Sequence, residues 1–202
     1  MAETADAGAE LRRIVRANEE IKKVVATAGR IGLMAMNAIF LAKRAGQAAL
    51  GFGVLSNELR GFALDLQRQM AHLREITETS VRAVTALVRQ AHTDRLLERT
   101  RAESTGAGRA IVEEFLRARR FAGAWRQSEE TGAMRRRLAQ TIADTTQLVE
   151  MGSVLARSAK IEAAYGGPFS AALMQVSSDF ERTIGEIQRS LQNLARQQDT
   201  SP

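Results

Sequence analysis

The stretch IGLMAMNAIFLAKRAGQAALGFGVLSNELRGFA, residues 31–63, decides how this chain folds. Apolar residues arrive there at steps of three and four. Ile31, Ala35, Ala38, Ala42 and Ala45 precede a pair of glycines, and Phe52, Leu55, Leu59 and Phe62 follow it. That spacing lines one stripe of an α-helix, whereas a strand would alternate every second residue. Gly46 and Gly51 bracket the point of reversal, where a positive φ is cheapest for glycine. The expectation is a long helix, a short turn and a second long helix returning beside the first. Because the stripe narrows to alanine toward the turn, the two backbones must approach closely there.

Working outward, the first series extends back through Ile14, Ala17, Ile21, Val24 and Ala28. The second runs on through Leu66, Gln69, Leu73, Ile76, Ser80, Ala83 and Leu87, then less regularly to about Arg101. Residues 104–108 read as a connector. Helical character resumes at Arg109 and weakens at Gly123 and over residues 128–132. A further long run carries Leu138, Ile142, Thr145, Val149 and Leu155 to a second reversal at Gly166, Gly167 and Pro168. Proline suits the first turn of the last helix, whose stripe is Leu173, Val176, Phe180, Ile184, Ile187, Leu191 and Leu194.

Sliding the chain by 121 residues lays Ile21 on Ile142, Ala42 on Ala163, Gly46 on Gly167, Ser56 on Ser177 and Glu58 on Asp179, with no insertion across the turn. Self-similarity at a fixed offset marks a repeated structural unit. The expected fold class is therefore all-α: a long antiparallel coiled-coil four-helix bundle made of two tandem helical hairpins. The expected organisation is a disordered lead at 1–9, a first hairpin at 10–101 and a connector with a short helix at 102–133. A second hairpin at 134–198 and a loose tail at 199–202 complete a single bundle overall.

Composition agrees with long helices. Of 202 residues 45% are hydrophobic but only 4% aromatic, and Pro168 and Pro202 are the only prolines. There is no cysteine, so disulfide and thiolate chemistry are excluded. The opening MAETADAGAE lacks the basic-then-apolar start of a signal peptide. The longest apolar run, residues 31–42, falls short of the ~18–20 residues that span a bilayer. A cytoplasmic protein with no membrane span is expected. The net charge is +6, with Arg117, Arg119, Arg120, Arg126, Arg135, Arg136 and Arg137 facing only Glu129 and Glu130. Phe121 and Trp125 are too few for a base-stacking platform, which argues against nucleic acid; the run reads as a solvated or inter-helix face, with a surface for an anionic partner as the alternative.

Nothing in the residues points to catalysis. The two histidines, His72 and His92, lie twenty apart on one helix and lack the neighbours of a phosphoacceptor. No His, Cys or carboxylate cluster has metal-ligand spacing, and the glycines at 46, 51 and 53 do not follow a strand. No enzyme, no metal and no cofactor are expected. The pairs Glu19–Glu20 and Glu129–Glu130 read as solvated helix-face charges.

The residues around the first turn resemble the signalling tip of bacterial chemoreceptors, the methyl-accepting chemotaxis proteins. In that family a helix ending LALNAA(I/V)EAARAGE meets a turn xGRGF and then AVVAxEVRxLA. This chain keeps Ala35, Asn37, Ala38, Ala42, Arg44, Ala45, Gly46, Gly51, Phe52, Val54, Glu58, Arg60 and Ala63. It departs at Leu41, Gln47 and Leu50, where the family has Glu, Glu and Arg. The second copy, IEAAYGGPFSAALMQVSSDFERTI at 161–184, retains the IEAA that the first lacks.

The resemblance implies a chemoreceptor-signalling-domain-like bundle that the family builds from two subunits and that one chain supplies here. It further implies a signalling or scaffold protein whose tip binds the chemotaxis histidine kinase, its coupling adaptor or other chemoreceptors, with possible homo-oligomers. Partner contacts expected from the resemblance are Leu33, Met36, Asn37, Phe40, Leu41, Arg44, Gly46, Gly51, Val54, Glu58 and Arg60 in the first copy. In the second copy they are Val154, Arg157, Ser158, Ile161, Glu162, Tyr165, Gly167 and Asp179. Phe52 is the adaptor-facing position and Leu173 its counterpart. The alternative is a divergent helical bundle with a non-chemotaxis partner, and behind it a histidine phosphotransfer bundle.

Overall fold

A computed structural model describes the backbone of residues 2–199 and the side chains of 12–118, 129 and 132–197. Nearly all of it is helix: α1 (Ala2–Ala45), α2 (Leu50–Glu103), α3 (Gly106–Ala164) and α4 (Ser170–Asp199). No strand occurs among the described residues, and the chain is all-α. Short 3-10 turns at Gly46–Ala49 and Gly167–Phe169 join α1 to α2 and α3 to α4. The helical backbone starts at Ala2 and includes the lead expected to be loose. Likewise α3 passes unbroken through 123–132. A glycine costs a helix about 1 kcal/mol, too little for Gly123 or Gly132 to end one of 59 residues.

Packing divides the chain into two compact units. The larger joins Ala17–Arg74 to Ala139–Pro202, so it contains the two copies related by the 121-residue offset. Its helices meet in antiparallel pairs. Ideal Cβ atoms at Gly53 and Gly29 would touch Ala42 and Gln67, fixing α1 against α2. Lys160 pairs with Glu181 at 2.6 Å and Gln188 donates to Ser153 at 3.0 Å, fixing α3 against α4. The Arg30–Glu186 ion pair and the Thr183 hydroxyl at 3.9 Å from the Met34 sulfur tie α4 to α1. Phe62 seats on Gly152 and Glu162 lies over Gly51, so α2 meets α3.

The core of this unit is the stripe that the heptad spacing predicts. Ala17, Ile21, Val24, Ala28, Ile31, Ala35, Ala38 and Ala42 of α1 are all buried. On α4 the buried set is Leu173, Phe180, Ile184, Ile187, Leu191 and Leu194. On α2 the stripe shifts by one residue, because the helix buries Met70 and leaves Gln69 half-exposed. Burial follows the offset closely: Val24 and Thr145, Ala35 and Ala156, Leu59 and Phe180, and Leu66 and Ile187 are buried in pairs. Ser56 and Ser177 are both fully buried, and each hydroxyl donates to the carbonyl four residues back, Phe52 at 2.8 Å and Leu173 at 3.0 Å. Those bonds satisfy hydroxyls that burial would otherwise penalise.

Bulk is redistributed between the copies. A Cβ on Gly152 would stand 2.6 Å from the Phe62 ring, so the large ring of α2 needs a glycine on α3. At the offset-equivalent positions a buried Ile31 stands for Gly152 and a buried Thr183 for Phe62.

The two reversals share one backbone solution. Gly46 has φ +68° and Gly167 φ +54°, a left-handed conformation that costs other residues roughly 1–2 kcal/mol. Both positions are otherwise open, with no atom near an added Cβ. Gly46→Ala and Gly167→Ala should therefore each lower stability by about 1 kcal/mol through backbone strain alone. Urea unfolding of the two singles and the double checks this, and the costs should add.

In the smaller unit, Met1–Arg16 with Glu75–Leu138, the buried apolar residues among the described side chains are Ile14, Ile76, Val84 and Leu116, and Ser80 bonds to the sulfur of Met134 at 2.8 Å. A third glycine with positive φ, Gly106 at +59°, turns α2 into α3. Within Arg12–Glu103 one 18-residue window reaches a mean hydropathy of 1.6, with 33% of it buried. The core helix of a water-soluble protein can meet the same measure.

Candidate functional site

The turn ends of the larger unit carry the residues that the sequence singles out, and burial sorts them into two groups. Leu33 (66% exposed), Met36, Phe40 (59%) and Val54 (63%) are open to solvent, as are Asn37, Arg44, Gly46, Glu58 and Arg60. Leu33, Met36 and Phe40 follow one another at steps of three and four, so they form an outward stripe on α1. This stripe is distinct from the alanine stripe of the core. An exposed apolar cluster of this kind marks a surface for partners more often than an isolated leucine does.

The second copy repeats the pattern on α3. Val154 (59%), Ile161 (63%) and Tyr165 (74%) are exposed at the positions equivalent to Leu33, Phe40 and Arg44. Arg157 is exposed where the first copy has Met36, Gly167 is exposed, and Ser158, Glu162 and Asp179 are half-buried. Sequence reasoning passed over Leu50, 59% exposed at the start of α2, and Met151, 57% exposed one turn before Val154. Leu50 could have been found as a large apolar residue inside a turn, where burial is least available.

Phe52 is not a surface residue. It and Leu173 are both fully buried, so the position expected to face an adaptor belongs to the core. The reason is the stripe itself: Phe52 lies in register with Ser56, Leu59, Phe62 and Leu66, all of which point inward. Any effect of Phe52 on a partner must pass through the packing of the turn.

Glu162 and Gly51, expected as separate contacts, come together. Gly51 is helical, not part of the left-handed turn, and its missing Cβ leaves room for the Glu162 carboxyl. That carboxyl lies beside the first turn of α2, where the helix dipole favours negative charge. In the other copy the equivalent pair is Leu41 and Ala172. A methyl at Gly51 would meet only the mobile end of Glu162. Gly51→Ala should therefore leave the urea midpoint unchanged or raise stability by up to about 1 kcal/mol through helix propensity.

The acidic pairs behave unequally. Glu19 is exposed and bonded to Lys22 at 2.8 Å, and that bond and charge hold its carboxyl below the usual range. Glu20 is not a solvated face charge: only 8% exposed, it pairs one oxygen with Lys23 at 2.8 Å and leaves the other buried without a partner. It falls on the inward side of α1 because it stands three residues after Ala17 and four before Val24, both buried. Glu129 is exposed; Glu130, together with Arg119, Arg120, Phe121, Trp125 and Arg126, lies outside the described side chains. Arg117, Arg135, Arg136 and Arg137 fall in the smaller unit. His72 and His92 are both exposed on α2.

No group of three or more His, Cys, Asp or Glu that could hold a metal occurs among the described residues. An open groove of about 520 Å³ runs between α3 and α4, lined by Ala139, Ile142, Ala143, Thr146, Glu150 and Ala195 among others. It offers one carboxylate and no nucleophile–base pair. The chemistry available at the turn end is apolar contact edged by charge. No family model, no curated protein and no solved structure matches this chain.

Proposed function

We propose that the larger unit is an antiparallel four-helix bundle of coiled-coil type, a single-chain counterpart of a chemoreceptor signalling tip. On this reading the protein works by docking other proteins at its turn end and not by catalysis. Its partners are a chemotaxis histidine kinase, the coupling adaptor or other chemoreceptors, and its compartment is the cytoplasm. The observation that carries the reading is the outward stripe Leu33, Met36 and Phe40, apolar and exposed beside a turn that keeps the family's Arg44, Gly46 and Glu58. A bundle whose core is already closed by alanine has no folding use for that second stripe, which points to a surface kept for partners. The four antiparallel pairings and the burial shared at the 121-residue offset support the bundle.

The test is light scattering of the chain alone and mixed with the coupling adaptor. A gain in mass with adaptor, lost in Phe40→Glu at unchanged helicity, is the expected result. No gain at any concentration would remove the chemotaxis partner and leave a bundle of other affinity.

A further inference from the structure

We infer that the outer flank of the α1–α2 pair is a second docking site, one that takes an acidic amphipathic helix of another protein. It goes beyond the turn-end reading and does not depend on it. The two copies close this flank differently. Between α3 and α4 the chain bridges it with its own polar bonds: Lys160 pairs with Glu181 at 2.6 Å and Gln188 donates to Ser153 at 3.0 Å. Subtracting the 121-residue offset puts Ile39 and Arg60 at the places of the first pair, and Gly32 and Gln67 at those of the second. Neither bridge can form. Among the described residues Arg60 is exposed with no acid paired to it, and Gln67 has no hydrogen-bond partner.

What the lost bridges leave open follows from the register. A Cβ on Gly53 would meet Ala42, and one on Gly29 would stand 3.8 Å from the Gln67 amide nitrogen. Gly53, Arg60 and Gln67 are one heptad apart, so Arg60 faces α1 as the other two do. Met36 follows Gly29 by one heptad and stands beside Arg60, while Gly32, between them, stands beside Leu64. An added Cβ on Gly32 would have nothing within 4 Å. The result is a furrow about three helical turns long, floored by Gly29 and Gly32 and edged by the exposed Val25, Met36 and Leu64. Missing side chains let a second helix approach closely, and the apolar edges bury against it.

Charge fixes the class of that helix. Between Glu20 and Glu58 the chain has no acid at all, yet it has Lys22, Lys23, Arg30, Lys43 and Arg44. On α2, Glu58 and Asp65 continue at heptad steps the side of Gly51 that Glu162 of α3 covers, so neither shares the furrow. Arg60, with Lys43 one heptad nearer the turn than Met36, therefore gives the furrow a cationic edge. A partner helix with carboxylates along its edges supplies to Arg60 the acid that Lys160 finds in Glu181, and a guanidinium holds a carboxylate by two parallel bonds.

The experiment is fluorescence anisotropy of the full chain with a labelled helical peptide, alanine and leucine on one face and glutamate along both edges. The control is the same peptide with lysine for glutamate. The glutamate peptide should bind and the lysine peptide should not. Gly32→Leu, whose side chain has room beside Leu64, should abolish binding by filling the furrow. Arg60→Glu should weaken the glutamate peptide by about tenfold or more and admit the lysine peptide. Phe40→Glu, on the outward stripe near the turn, should change neither. Unchanged circular dichroism and melting confirm that the variants fold. A glutamate peptide that does not bind overturns the inference. So does binding that survives Gly32→Leu, which would rest on the net charge of +6 alone. Loss of binding in Phe40→Glu would also overturn it, by placing the peptide at the turn end. A chain that takes the peptide in the furrow and gains no mass with adaptor would keep this site and lose the turn-end reading.

Discussion

Phe52→Ala should lower stability by about 3–5 kcal/mol, the usual cost of emptying a phenylalanine site in a core that cannot collapse. Phe52 is fully buried just past the turn, and the carbonyl of Phe52 itself accepts the bond from the buried Ser56 hydroxyl. For a chain of this size that corresponds to a drop of on the order of 10 °C in Tm. The substitution should also weaken any partner that docks at the turn, because Val54 and Leu50 flank the vacated site. Leu173→Ala, at the equivalent place, should cost about 2–5 kcal/mol. An unchanged melting curve with lost partner binding would instead place Phe52 in direct contact with the partner, against its burial. Thermal melts alongside binding of the same variants separate the two.

Gly152→Ile is expected to be nearly as costly and, unlike Phe52→Ala, repairable. The added side chain would drive into the Phe62 ring, and overpacking of a rigid core site costs about 1–3 kcal/mol or more. Phe62→Thr alone should cost about 3 kcal/mol by opening a cavity. Together the two substitutions copy the arrangement already present at Ile31 and Thr183. The double variant should recover most of the loss, with a strong favourable coupling in a double-mutant cycle. Simple additivity in urea unfolding would mean that the copies are not packed alike at this layer. The contrast with Gly51→Ala is physical: an aromatic ring held on all sides cannot yield, whereas the end of a glutamate can.

The outline of the fold was legible in the sequence because helical core positions announce themselves by spacing. Ile21, Val24, Ala28, Ile31, Ala35 and Ala38 could be read as one buried stripe without knowing what they pack against. The reversals at Gly46 and Gly167 were legible for a related reason, since a chain of long helices must break where glycines gather. Even the burial shared by the two halves was visible, as matched residues at one offset. Spacing settles which residues share a side of a helix. It does not settle which side faces in when a helix carries two apolar stripes, and that is where the turn end escaped it. Phe52 and Phe40 are both phenylalanines near a glycine turn, yet one is fully buried and the other 59% exposed. Glu19 and Glu20 are adjacent and chemically alike, but the 100° step between them puts one in water and the other in the core. By itself the sequence determined four long helices, their core stripe and their turns. Only the tertiary structure decided which surface was left over, because exposure depends on the neighbouring helices that cover a side chain and not on the residue or its spacing.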